Sequence, residues 1–154
     1  MELYSKGQGA TEYLVLLAVV LMIALVSIAL LGFFPGLAGD AKATQSASYW
    51  KSARPFGILD YYQSGTALTM VLQNNDPDQR TIAANNVFVA AGTGPATAVT
   101  LNAGEKRTIA VAGVSAACTI GNAFEYSTNI TYSTVDLSGL KQLGTKPLIG
   151  KCVS

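Results

Sequence analysis

Histidine is absent from the 154 residues, and with it the commonest general base and the commonest metal-ligating side chain. Cysteine occurs twice, at Cys118 and Cys152, too few and too far apart for a zinc site. Charge is scarce as well: 12% of residues are charged, against about a quarter in an average domain, and the net charge is +1. No basic run occurs, so a nucleic-acid partner gets no electrostatic support. Without histidine, no Ser or Cys nucleophile has its usual activating base. Asp76 and Asp78 in NNDPDQ lack the spacing of a calcium loop and read as a solvated turn. GTGPATA lacks the lysine and following helix of a phosphate loop and reads as a hairpin connection. These absences point away from an enzyme, a cofactor site or a metal site.

Apolar residues make up 50% of the chain, and the excess lies between Tyr13 and Phe34. As a helix this uncharged run would measure about 33 Å, close to the hydrocarbon thickness of a bilayer. It is apolar all round rather than along one stripe, so lipid or other protein must cover every side. Glu12 stands on its threshold, where a secretory signal normally avoids acid. GFFPG, residues 32–36, predicts an interruption, because Pro35 removes a backbone donor and pushes Phe34 away from helical geometry. Helical character resumes over residues 37–54, and Pro55 and Gly57 stop it. Tyr49, Trp50, Tyr61 and Tyr62 are expected to pack where this helix meets the next domain.

From Phe56 onward the hydrophobic period changes from about 3.6 to 2. Leu68, Met70 and Leu72 alternate with Thr69, Val71 and Gln73, and further short strands are expected over Asn86–Ala91, Thr97–Leu101 and Thr108–Ala112. FEYSTNITY, residues 124–132, reads as one strand with Phe124, Tyr126, Thr128, Ile130 and Tyr132 on one face. Short strands with glycine-rich turns indicate a β-sandwich or small barrel. The fold class expected is therefore α+β, a long hydrophobic helix followed by an antiparallel, immunoglobulin-like β-sandwich. Asn129-Ile130-Thr131 is the only N-glycosylation sequon, and strand alternation places Asn129 on the face turned to solvent or to a neighbouring subunit. In an exported domain Cys118 and Cys152 would join in a disulfide; in a cytosolic chain they would be two buried thiols.

KGQGATEYL, residues 6–14, resembles the class III signal peptide of archaeal type IV pilin-like proteins. Members of that family carry a short charged leader ending in Lys-Gly or Arg-Gly, then Gln, a glutamate at the fifth mature position, and a hydrophobic helix. Here Lys6 and Gly7 would precede the cut, Gln8 would become the new N-terminus, and Glu12 falls fifth. The resemblance implies cleavage by a membrane prepilin peptidase before the hydrophobic segment, so that the helix is retained as a structural part. Lipid tails are about as apolar as leucine, so moving the helix from lipid into a bundle gains little hydrophobic energy. Close packing and polar registration must then direct assembly. Glu12 next to the α-amino group of a neighbour's Gln8 would supply such registration, whereas a simpler reading makes it a helix-start acid favoured by the macrodipole.

The β region resembles, by pattern, the C-terminal domains of archaeal adhesive pilins, in the run from LTMVLQNND through LNAGEKRTIAV to FEYSTNITY and LIGKC. With it the resemblance spans most of the chain. It implies a cleaved leader over residues 1–7, a filament-core helix over 8–54 with a possible break at 32–36, and a displayed β-domain over 55–154. The implied partners are copies of the chain itself, the prepilin peptidase, an assembly ATPase and a membrane platform protein. The implied location is an extracellular pilus on the archaeal cell surface, with the precursor inserted in the membrane. An archaellin, the subunit of the archaeal swimming filament, shares this leader type. A second alternative is a minor pilin-like protein that binds a sugar or surface ligand and never forms a bulk polymer. Two other parses are a secretory signal cut near Ala41-Lys42-Ala43 and a permanent single-span anchor.

Overall fold

The computed structural model describes residues 5–114 and 118–153; for residues 5–8 and 32–38 it describes the backbone alone. Among the described residues one helix, α1 (Ser5–Ser52), precedes eleven strands. The chain divides into two compact units, residues 1–41 and 42–154.

In the first unit α1 is apolar on every side, and its large side chains from Tyr13 to Leu31 are 43% to 69% exposed. The 23 residues Gly9–Leu31 are long and apolar enough to cross a membrane, and none of that stretch is buried within the chain. The backbone stays α-helical through Gly32–Gly36, where the sequence predicts an interruption. Pro35 takes one donor out of the ladder, a local cost of about 3 kcal/mol, while strong helix formers continue on either side.

The second unit begins inside α1. Its last turns belong with the strands because Trp50 is wholly buried and Ser46 is 2% exposed. Ser46 Oγ donates to the Pro147 carbonyl (2.6 Å) and accepts from the Ile149 N–H (3.3 Å). Asn75 caps the end of the helix, its Nδ2 donating to the carbonyls of Ala53 (2.9 Å) and Lys51 (3.2 Å), groups that have no partner inside a helix.

The strands are β1 (Phe56–Ser64), β2 (Ala67–Asn74), β3 (Arg80–Ile82), β4 (Val87–Val89), β5 (Gly92–Gly94), β6 (Val99–Leu101), β7 (Lys106–Ala112), β8 (Ala123–Tyr126), β9 (Thr128–Tyr132), β10 (Leu140–Leu143) and β11 (Leu148–Lys151). Seven form a curled sheet in the order β1-β2-β7-β5-β4-β9-β10, and two ribbons, β11-β8 and β3-β6, accompany it. Every strand pair is antiparallel. The architecture is α+β, with the strands divided between one large sheet and two ribbons.

Binary patterning explains most of this unit. Leu68, Met70 and Leu72 on β2 are wholly buried, as the alternation requires. On β1 a bulge between Ile58 and Asp60 shifts the register by one residue. Phe56 and Ile58 point inward before it; Tyr61 and Gln63 turn inward after it, and Tyr62 is left 45% exposed. Tyr62 is thereby excluded from the aromatic cluster expected near the helix. Tyr49 and Trp50 do meet edge to face at 5.2 Å, and Tyr61 faces Phe124 at 6.3 Å.

FEYSTNITY is two strands rather than one. β8 pairs with β11, and β9 pairs with β4 and β10, the switch falling at Ser127. The alternation runs through the switch unchanged: Phe124, Thr128 and Ile130 are buried, Glu125, Ser127 and Asn129 exposed.

The sheet has two edges, β1 and β10, and one side chain joins them. Gln142 on β10 accepts from the Phe56 N–H (3.0 Å) and donates to the Phe56 carbonyl (2.8 Å). Its amide replaces the peptide group of a missing neighbour strand, so two buried backbone groups find partners where pairing would otherwise end.

Candidate functional site

The first candidate surface is α1 itself. The helix begins at Ser5, so Glu12 lies about two turns inside it, with its side chain exposed. A helix dipole acts within the first turn. Were the chain to start at Gln8, Glu12 would stand at the edge of the first turn. The ion pairs among the described residues join Arg54, Arg80 and Arg107 to Asp76, Asp78 and Glu105, and Glu12 takes part in none of them. Lys6, Gly7 and Gln8 are described by their helical backbone alone, so the expected cleavage and register contacts of those three have no described side-chain geometry.

The second is the outer face of the curled sheet. Asn129 is exposed on β9, directly opposite Phe88 of β4 on one side and Leu143 of β10 on the other. Thr131, the third residue of the sequon, shares that face and stands opposite Lys141.

Cys118 and Cys152 form a disulfide across a sequence separation of 34. It ties the end of β11 to the segment after β7. The backbone around it is woven in as well: Cys152 N–H donates to Asn122 (2.9 Å), and Cys118 N–H to Gly65 (3.1 Å).

Elsewhere two small groups of charged side chains pair, around Asp76 and at Glu105. Asp76 accepts from Arg80 at 3.1 Å, with Arg54 at 3.9 Å, and Asp78 lies 3.7 Å from Arg80. The acids of NNDPDQ are thus matched to the guanidinium groups of Arg80, at the start of β3, and Arg54, after the helix. Among the described residues no group of three or more His, Cys, Asp or Glu could hold a metal ion. Glu105 is held below the usual carboxylate range, first by the Asn102 N–H and then by Arg107, whose Nε lies 2.8 Å from Glu105 Oε1. Burial pushes the Tyr61 phenol up, only partly offset by its contacts with Ser46 and the Ile149 carbonyl. A groove beside β7 is lined by Thr93, Thr97, Thr108 and Ala110, and its lining offers hydroxyls and amides but no acid or base.

The comparisons add no relative: no protein-family model matches the chain, and no curated protein matches it.

Proposed function

We propose that the chain is the precursor of an archaeal type IV pilin, a structural subunit that polymerises through its N-terminal helix and carries its β-domain on the filament surface. One observation carries this reading: the stretch Gly9–Leu31 presents apolar side chains on every side, and none of it is buried among the described residues. Such a surface is stable only in lipid or against other protein, and a subunit that passes from one to the other uses both.

The KGQGATE sequence that leads into this stretch, residues 6–12, supports the retained-helix parse over a discarded signal. Cleavage after Gly7 frees an α-amino group at Gln8. In a helical bundle the Glu12 carboxylate of one subunit meets that amine on the next, since a carboxylate left unpaired in apolar surroundings is costly. The pair fixes the axial step between subunits, while the uncharged surface beyond it packs without strong preference for register. The implied partners remain copies of the chain, a prepilin peptidase, an assembly ATPase and a platform protein.

Intact mass and N-terminal sequencing of material sheared from cells test the reading. A polymer whose chains start at Gln8 supports export, cleavage and filament membership together. A soluble monomer starting after Ala43 would mean that the helix serves only as a signal, and the filament reading would fall. In the same assay Gly7→Val is expected to leave unassembled precursor in the membrane, and Glu12→Ala to permit cleavage while lowering filament yield.

A further inference from the structure

Strands β4 and β10 both break the rule that the outer face of a sheet is polar. On β10 the last two positions are reversed, with Gln142 buried and Leu143 61% exposed, while Lys141 keeps the ordinary polar-out setting. On β4 the outward residue between buried Val87 and Val89 is Phe88, 39% exposed. These two apolar side chains are not scattered. The register Phe88↔Asn129 and Leu143↔Asn129 sets them on either side of one residue, the asparagine of the only sequon. Directly opposed residues on antiparallel strands have Cβ atoms about 4.5–5.5 Å apart, so Phe88, Asn129 and Leu143 form one continuous row across three strands.

We propose that Asn129 carries an N-linked sugar whose first residue rests on Phe88 and Leu143. A pyranose has one face of C–H groups and a rim of hydroxyls. Linked to Asn129 Nδ2, it can lay the C–H face on the phenyl ring and the leucine while its hydroxyls stay in water. A close-packed protein partner fits the row less well, because it would have to desolvate the Asn129 amide at the centre of the patch. The proposal rests on the export reading above, since the sugar donor is a membrane lipid.

The chemistry balances without an oxidant. Asn129 Nδ2 attacks C1 of the first sugar of a polyprenyl-phosphate- or polyprenyl-pyrophosphate-linked oligosaccharide. The N–C1 bond forms, the C1–O bond to phosphate breaks, the lipid phosphate leaves with the electron pair, and Nδ2 gives up one proton. Thr131 supplies the hydroxyl that completes the acceptor sequence. It lies on the same outward side of β9 and is partly exposed.

Mass spectrometry of the chain from the cells that naturally express it reads two peptides, the one holding Asn129 and the N-terminal one. The expected result is sugar mass on the Asn129 peptide, lost in Thr131→Ala and kept in Thr131→Ser. A bare Asn129 on chains that begin at Gln8 would overturn the sugar and leave the pilin reading standing. A bare Asn129 on chains that begin at Met1 would overturn both. The resting place is tested by thermal unfolding of the modified chain against Asn129→Gln. Loss of the sugar is expected to lower the midpoint by a few degrees, and this loss to vanish when Phe88→Ser and Leu143→Ser are also present. An equal drop in that background would overturn the contact with Phe88 and Leu143.

Discussion

Gln142 holds the N–H and the C=O of Phe56 at once, which makes it a side-chain equivalent of a strand backbone at the edge of the sheet. Replacing it with leucine fits the burial but strands both groups. A buried polar group without a partner costs about 1–3 kcal/mol, so Gln142→Leu is expected to destabilise the domain by about 2–5 kcal/mol. Urea unfolding followed by Trp50 fluorescence measures this, and a change below about 1 kcal/mol would show that the amide is dispensable. Tyr61 makes a second prediction at this scale. Its phenol is raised by burial and donates to the Ile149 carbonyl at 2.6 Å. A folded-state value above the unfolded one means that the contribution is fully present below about pH 10 and is lost as pH rises through the folded value. Stability is therefore expected to fall on the alkaline side, and Tyr61→Phe to flatten that fall; an unchanged slope would assign it to other groups.

Among the elements, the last strand β11 depends most on a covalent tie. It pairs only with β8 in a two-stranded ribbon, and its end is held by the Cys118–Cys152 bond and the bridge from Cys152 to Gln63. Isolated two-stranded ribbons are marginal in water. Closing a loop of this length stabilises the fold by about 3–4 kcal/mol in the chain-entropy model. The double variant Cys118→Ser, Cys152→Ser is expected to lose about that much in urea unfolding. A loss near zero would mean that packing of Leu148 and Phe124 holds the ribbon without it. Helix α1 is held without a covalent tie: Asn75 caps its end, Trp50 and Ser46 are buried among the strands, and its apolar stretch Gly9–Leu31 is not buried among the described residues.

For the whole molecule, the two units present different surfaces. The second has its own core, centred on Trp50, Phe56, Met70 and Ile130, all wholly buried. In the first, the side chains of the described residues are exposed. A chain beginning at Lys42 is therefore expected to fold as a soluble monomer with a cooperative thermal transition, whereas the full chain requires lipid, detergent or its own copies. Sedimentation and circular dichroism of the two check this, and an unfolded or aggregated short chain would show that the β-domain needs the apolar helix.

Amino-acid order alone determined the long apolar helix, the change of period near Phe56, the inward set of β2 and the outward side of Asn129. Each of these follows from a local periodicity that burial cannot easily override. The pairing of Cys118 with Cys152 was legible as an expectation conditional on export. Tertiary structure alone decided the rest. Strands β3, β5, β10 and β11 are three or four residues long, too short to show a period, and they exist because neighbours supply their hydrogen bonds. The split of FEYSTNITY at Ser127 and the bulge in β1 depend on which strand lies alongside. The row Leu143, Asn129, Phe88 joins residues far apart in sequence, and Leu143 points outward only because Gln142 must turn inward to close the sheet. A periodicity is a property of neighbours along the chain; an edge that needs closing is a property of the folded sheet, and no stretch of sequence contains it.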